Sequence, residues 1–299
     1  MRKNYNYSDK PFLRLPSWIK FPISKASEIA RIQNLIKKSN IHTICEEGRC
    51  PNRAECYASG TATFLLGGSI CSRSCAFCQV NKGKPMDLNI DESQKVAQAV
   101  EILNLKYVVL TSVARDDLHD HGASLFTSTI NEIRKINHKV NIEVLTPDFW
   151  GGGSNIFERA TLQRERLQKI LEKSPICFNH NLETVERLQK EVRRGANYSS
   201  SLKLLSTAKE IAPNIQTKSG IMLGLGESLD EIKKTLYDLK RVHCDQITIG
   251  QYLRPSLNHL PVKKYWEPKE FEYIASFSRQ LGFKRISCGP LIRSSYHAG

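Results

Sequence analysis

The sequence has no apolar run near the roughly 18–20 residues a membrane-spanning helix needs, so no membrane insertion is expected. Its opening stretch, MRKNYNYSDKPFLRLPSWIKF, is basic but has no continuous apolar core, which excludes a secretory signal. The same stretch is poor in the Ser and Arg of a transit peptide. No low-complexity linker divides the 299 residues, and no repeat beyond a strand–helix alternation is visible. The composition is that of an ordinary globular protein, which sets aside disordered and collagen-like classes. A disulfide framework is excluded too. The nine cysteines are odd in number, clustered, and follow no export signal. Metal-bound thiolates in a reducing compartment fit better. A cytoplasmic location is expected, with an organelle stroma or matrix as the alternative.

The chain has 44 Lys and Arg against 30 Asp and Glu, a net charge of +14. One reading is a solvated Lys-rich surface; the other is a basic face for an acidic partner, either nucleic acid or an acidic carrier protein. The basic residues are scattered, with one dense spot at Arg187, Lys190, Arg193 and Arg194 on a predicted helix. No RNA-recognition signature and no interleaved aromatics accompany it, so nucleic-acid binding is not expected.

The first 40 residues hold Pro11, Pro16 and Pro22 and read as an extended arm with a short helix over 25–38. A strand rhythm then starts, at 61–66, 106–111, 140–145, 175–178, 220–223 and 245–249. Between these runs, Val96, Ala99, Val100 and Leu103 recur at helical spacing. Leu182, Val185, Leu188 and Val192 do the same, as do Leu229, Ile232, Leu236 and Leu239. Six strands alternating with helices imply a parallel α/β sheet, whose chemistry sits at the carboxyl ends of the strands. Unusual residues occupy those ends: Ser112-Val-Ala-Arg-Asp-Asp, Thr146-Pro-Asp-Phe, Asn179-His-Asn, Gly224-Leu-Gly-Glu and Gln251-Tyr-Leu-Arg.

Six cysteines crowd into residues 45–78 as two triplets. Cys71, Cys75 and Cys78 are spaced C-x3-C-x2-C just past the first strand; Cys45, Cys50 and Cys56 are spaced C-x4-C-x5-C. A four-iron cluster held by three thiolates keeps one iron open, and open positions are where metal sites do chemistry. Zinc is the competing reading for the second triplet, but no second ligand pair lies nearby. The first triplet, by itself, suits an iron–sulfur site or a redox-active loop. Gly224-Leu-Gly-Glu227 resembles a phosphate-loop fragment, yet Leu229 stands where a dinucleotide fingerprint needs its third glycine. A glycine turn approaching an adenosine is the better reading, and Gly67-Gly68 suggests another close backbone approach.

With Phe77 in its aromatic place, the second triplet resembles the hallmark of the radical S-adenosylmethionine enzymes. CEEGRCPNRAEC, GTATF, TSVARDDL, VLTPDF, FNHNLETV, YLRPS with HLPV, and GPLIRSSYHA together resemble the lipoyl synthase family over nearly the whole chain. The resemblance implies an open (β/α)6 partial TIM barrel: an arm and auxiliary-cysteine loop over 1–60, the barrel over 61–282, and a tail over 283–299, all in one domain.

It further implies two [4Fe-4S] clusters and S-adenosyl-L-methionine. Cys71, Cys75 and Cys78 would hold the cluster that binds S-adenosylmethionine; Cys45, Cys50, Cys56 and Ser294 would hold an auxiliary cluster. Phe77, Asn179, His180, Gly224, Gly226 and Glu227 are the expected cofactor contacts, with His180 and Asn181 also able to face substrate. The implied reaction inserts two sulfur atoms at C6 and C8 of a protein-bound octanoyl-lysine, with sulfur drawn from the auxiliary cluster. Expected partners are an octanoylated lipoyl domain or glycine-cleavage H protein, a flavodoxin- or ferredoxin-type electron donor and a cluster-assembly carrier. The alternative inside the class is another sulfur-inserting enzyme, biotin-synthase-like or tRNA methylthiotransferase-like. Outside it stands an electron carrier or scaffold, which would need four cysteines per cluster and no barrel. Cys177, Cys244 and Cys288 read as small buried hydrophobes.

Overall fold

The computed structural model describes residues 7, 13–20, 32–34, 36, 38–48, 50 and 52–296. The expected helix over 25–38 lies partly outside them; the residues described from 32 to 38 are helical.

Among the described residues the main sheet has eight strands. β1 (His42–Thr43) pairs antiparallel with β2 (Thr61–Leu66). From β2 onward every pairing is parallel, through β5 (Tyr107–Ser112), β6 (Asn141–Leu145), β7 (Cys177–Asn179), β8 (Gln216–Leu223), β9 (Gln246–Gln251) and β10 (Arg285–Gly289). The six expected strands are present, and β10 extends the sheet by a seventh parallel strand. A two-stranded ribbon, β3 (Ile70–Cys71) with β4 (Asn81–Lys82), brackets the second cysteine triplet.

Side chains alternate across each strand, and the two faces differ. Outward residues such as Phe64, Val108, Leu110, Ile142 and Phe178 join the main core. They pack there with Val96 and Val100 of α3 (Glu92–Ile102) and Phe126, Ile130 and Ile133 of α4 (Ala123–Ile136). The inward face is partly polar. Glu143 on β6 takes a hydrogen bond from Tyr107 on β5 at 2.8 Å and from Asn179 on β7 at 2.7 Å, and pairs with Lys218 on β8 at 3.1 Å. This buried ion pair reaches across β7 on the inward face.

The expected helix over Leu182–Val192 is corrected. Glu183 has φ +65 and bridges to β8, donating its N–H to Gly220 and accepting from Met222 N–H. Only a 3-10 turn (Glu186–Leu188) and a one-turn helix, α6 (Gln189–Val192), follow. Leu182, Val185, Leu188 and Val192 are all buried, so the apolar spacing reports burial without a continuous helix. The basic spot is dispersed as well. Arg187 pairs with Glu231, Arg193 is buried, and Arg194 donates to Tyr7. The helix that crosses between β7 and β8 is α7 (Tyr198–Ile211), opened by the Asn197 side chain accepting from Ser200 N–H. α8 (Leu229–Arg241) begins with a reciprocal Ser228–Glu231 capping box. Cys177 and Cys244 are buried, and the Cys288 thiol donates to the Phe271 carbonyl at 3.2 Å.

Candidate functional site

A cavity of about 800 Å³ opens at the carboxyl ends of the strands. All seven expected cluster ligands line it: Cys45, Cys50, Cys56, Cys71, Cys75, Cys78 and Ser294.

The second triplet sits on a loop tied down from several elements. Ala76 N–H donates to the Val192 carbonyl, Leu260 N–H to the Ala76 carbonyl, and the His259 ring meets the Cys78 carbonyl at 2.9 Å. Within the motif, Arg73 makes a bidentate pair with Asp116 and a second bond of 2.7 Å to buried Asp148. Ser72 donates to Asp116 at 2.7 Å. Residues after β5 and β6 thus clamp the cysteine loop after β2. The Cys71 sulfur accepts from Arg73 N–H at 3.4 Å and Ala114 N–H at 3.3 Å, the kind of donor that favours bound thiolate.

The first triplet is carried by α1 (Ile44–Glu47), Cys50 and α2 (Arg53–Ala58). Thr43 caps α1 and contacts the Tyr57 hydroxyl. The C-terminal tail closes on this unit: Asn52 donates to the Leu291 carbonyl at 2.6 Å, and the Tyr296 hydroxyl donates to the Glu55 carboxylate at 2.9 Å. Ser294 Oγ accepts from Asn181 Nδ2 at 2.7 Å.

Glycines make room for the tail. A Cβ on Gly250 would lie 2.0 Å from the Ile292 carbonyl oxygen, and one on Gly220 would lie 3.0 Å from Ser294 Oγ.

The donor set fits iron–sulfur clusters. Burial, then neighbouring thiols, pushes Cys45 and Cys75 up to about 12; burial also pushes Cys78 up to about 11. Thiolates in such surroundings need a compensating cation. All nine cysteines are free. Among the described residues no three His, Cys, Asp or Glu side chains converge on a single ion. Thiolates that each bind a separate iron of a cube do not need to converge. Burial lowers the Arg293 pKa, with Cys50 acting in the opposite sense.

Of the six expected cofactor contacts, Phe77 lines the cavity. Asn179, His180, Gly224, Gly226 and Glu227 are not among its lining residues. Asn179 serves the Glu143 cluster on the inward face. Glu227 folds back on its own turn, accepting from Gly224 and Leu225 N–H and from Trp266 Nε1, with φ of +108 and +109 at Gly224 and Gly226. Burial raises the Glu227 carboxyl, and those donors oppose it. Gly67 and Gly68 donate to Glu92 at the start of α3, so their N–H groups are taken up by a carboxylate of the protein itself. Asn181 does line the cavity, with Glu183 and Arg193 beside it. Sequence reasoning missed Arg73, Glu183, Arg193 and Gly250. A glycine inside a strand signals a close backbone approach and could have pointed to Gly250.

A family model described as the Radical SAM superfamily matches residues 65–239, and one for the N-terminal domain of lipoyl synthase matches residues 1–50. The chain is 75% identical over 299 residues to a protein of Prochlorococcus marinus subsp. pastoris named Lipoyl synthase 2, covering 100% of both. It is 58% identical to the Nostoc protein of that name, over 95% of this chain and 94% of the relative. To the Hahella chejuensis Lipoyl synthase it is 47% identical, over 95% of this chain and 83% of the relative. Among solved structures, methylornithine synthase superposes with a TM-score of 0.54 at 12% identity, covering 89% of this chain and 79% of that one. Streptococcus suis SuiB bound to S-adenosylmethionine gives a TM-score of 0.56 at 12% identity, over 80% of this chain and 53% of that one. These two likenesses concern the fold.

Proposed function

The chain belongs to the lipoyl synthase family of radical S-adenosylmethionine enzymes, and from that membership we propose how its two cysteine triplets divide the reaction. Its activity is that of a lipoyl synthase, using S-adenosylmethionine and a four-iron cluster. Cys71, Cys75 and Cys78 are the cluster ligands at the S-adenosylmethionine end; Cys45, Cys50, Cys56 and Ser294 hold a second, auxiliary cluster. When bound, the first supplies the electron that splits S-adenosylmethionine into methionine and a 5′-deoxyadenosyl radical, and the second supplies sulfur for C6 and C8 of an octanoyl chain.

This chain's residues do the rest. Arg73, clamped by Asp116 and Asp148, holds the second-triplet loop in place. Leu65, Val113, Leu145 and Met222 give the cavity the apolar wall that an octanoyl chain needs. Ser294 contributes a hard oxygen among soft thiolates, a poorer match for iron and easier to displace. The observation that carries the reading is a single enclosure lined by both triplets and Ser294, so a carbon radical and its sulfur source share one cavity.

The substrate is an octanoylated lipoyl domain or H protein, drawn to the +14 surface by opposite charge. A flavodoxin- or ferredoxin-type donor and a cluster-assembly carrier complete the partners. Among the described residues no helix is long and apolar enough to cross a membrane; a cytoplasmic setting is part of the proposal. The 1–60 arm, the 61–282 barrel and the 283–299 tail, whose β10 adds a strand to the barrel sheet, act as one domain.

The test is anaerobic reconstitution with S-adenosylmethionine, a reductant and an octanoyl-lysine peptide. About eight irons per chain are expected. Cys45→Ala should lose roughly half of them and all thiolated product, while 5′-deoxyadenosine still forms. Sulfur insertion by that variant would rule out the auxiliary cluster as donor.

A further inference from the structure

Arg193 lines the cavity, near enough to Cys75 and Glu183 for its charge to act on both. Its guanidinium is held by two residues that do not line the cavity, His180 and Ser201, both fully buried. Their hydrogen bonds admit one tautomer of the ring. His180 Nδ1 lies 2.8 Å from the Thr146 carbonyl oxygen, which can only accept, so Nδ1 bears the hydrogen. Nε2 therefore offers a lone pair, and Arg193 Nη2 donates to it at 3.0 Å. Ser201 Oγ accepts from Arg193 Nη1 at 2.6 Å and stands 3.0 Å from Nε2, where its hydroxyl can only share the lone pair that Arg193 Nη2 uses. The other tautomer would set a lone pair against the carbonyl and N–H against N–H. Burial and then Arg193 push His180 down to about 3, so the ring stays neutral throughout the working range.

We propose that His180 is a positioning residue for the S-adenosylmethionine half of the site: its neutral ring, locked in one tautomer, fixes the rotamer of Arg193 and keeps a permanent positive charge on the wall that carries Cys75. The inference rests on the assignment of Cys71, Cys75 and Cys78 as that cluster's ligands. The placement needs active support. Arginine has a long flexible stem, and the buried carboxylate of Asp148, itself close enough to act on Arg193, competes for its head. A leucine at 180 would keep the bulk while stranding Thr146 and freeing Arg193 Nη2.

The experiment is a calorimetric titration of S-adenosylmethionine into the anaerobically reconstituted, oxidised protein. His180→Leu should bind roughly tenfold more weakly, the size expected for one hydrogen bond to a charged group. His180→Gln, which returns an acceptor oxygen near the Nε2 position, should stay within about threefold of the parent. Iron content should be equal in all three. In an Arg193→Lys background, His180→Leu should add nothing, because its effect runs through Arg193. Parent-like binding by His180→Leu overturns the inference, as does a full additional loss in the lysine background. Should the leucine variant not fold, Ser201→Ala replaces it, with a several-fold loss expected and unchanged binding overturning the idea. A parent protein that holds iron but takes up no S-adenosylmethionine would instead overturn the underlying ligand assignment.

Discussion

Replacing Gly250 by alanine sets the sheet against the tail, and the outcome can be worked from distances. The new Cβ would meet the Ile292 carbonyl oxygen at 2.0 Å, where ordinary contact begins at 3.4 Å, so something must retreat by about 1.4 Å (3.4 less 2.0). The neighbour is backbone and cannot swing aside. β9 is gripped by parallel ladders to β8 and β10 along its whole length. The tail is held by Asn52 on Leu291, Asn181 on Ser294 and Tyr296 on Glu55. At about 1 kcal/mol for each neutral bond and about 2 for the charged one, docking is worth about 4 kcal/mol. An overpacking cost of about 3 kcal/mol would leave the tail docked but raise its open population about a hundredfold. Trypsin cleavage after Arg293, which is enclosed by the cavity when docked, reads that population through release of the fragment starting at Ser294. Release should accelerate by roughly that factor. Sulfur insertion should drop more than 5′-deoxyadenosine formation. Unchanged release together with a lowered global Tm would mean the sheet gave way instead, and the reasoning fails.

Other outcomes follow from buried charges and the surface. Burial pushes the Asp148 carboxyl up, but the Arg73 charge and hydrogen bond outweigh it and hold it below the usual carboxylate range. The stability it contributes is complete above its unfolded pKa of about 3.9 and is lost as pH falls through the lower folded value. Asp148→Asn should cost about 3 kcal/mol at neutral pH and shrink the acid-side loss seen in Tm-versus-pH curves; an unaltered acid limb would count against the pair. Lys218→Met leaves Glu143 buried without its cation and should cost about 3–5 kcal/mol in denaturant unfolding, with iron content unchanged. Raising salt from about 0.05 to about 0.3 M should raise KM for the octanoylated carrier several-fold, and a salt-insensitive KM would remove charge from its recognition.

The strands and the cysteine loops were legible because both are local. The run at Thr61–Leu66 is apolar and β-branched and forms β2 with those bounds. The ligand spacings need no tertiary context. Leu182 to Val192 misled because a helical period of burial also arises where chain bridges to β8 and then turns. Arg73 could not be assigned from the motif, since Asp116 and Asp148 arrive from separate loops, 43 and 75 residues on. Glu227 stands at a glycine turn, and the sequence does not show which donors its carboxylate takes. Its oxygens accept from Gly224 and Leu225 N–H in the turn and from Trp266 Nε1, 39 residues on. A glycine inside a strand tells of a close approach but not of what approaches: the tail segment that Gly250 and Gly220 make room for, at Ile292 and Ser294, is far downstream of both.

The bond between Glu55 and Tyr296 joins residues 241 apart. A chain still leaving the ribosome therefore has its first triplet without Tyr296 and Ser294 until the residues beyond β10 have been added. The barrel strands, paired mostly with sequence neighbours, can settle first. The pocket around the first triplet is thus completed after the strands that carry it, and a chain cut before Ser294 would keep those strands while lacking the bonds of Asn181 to Ser294 and of Tyr296 to Glu55.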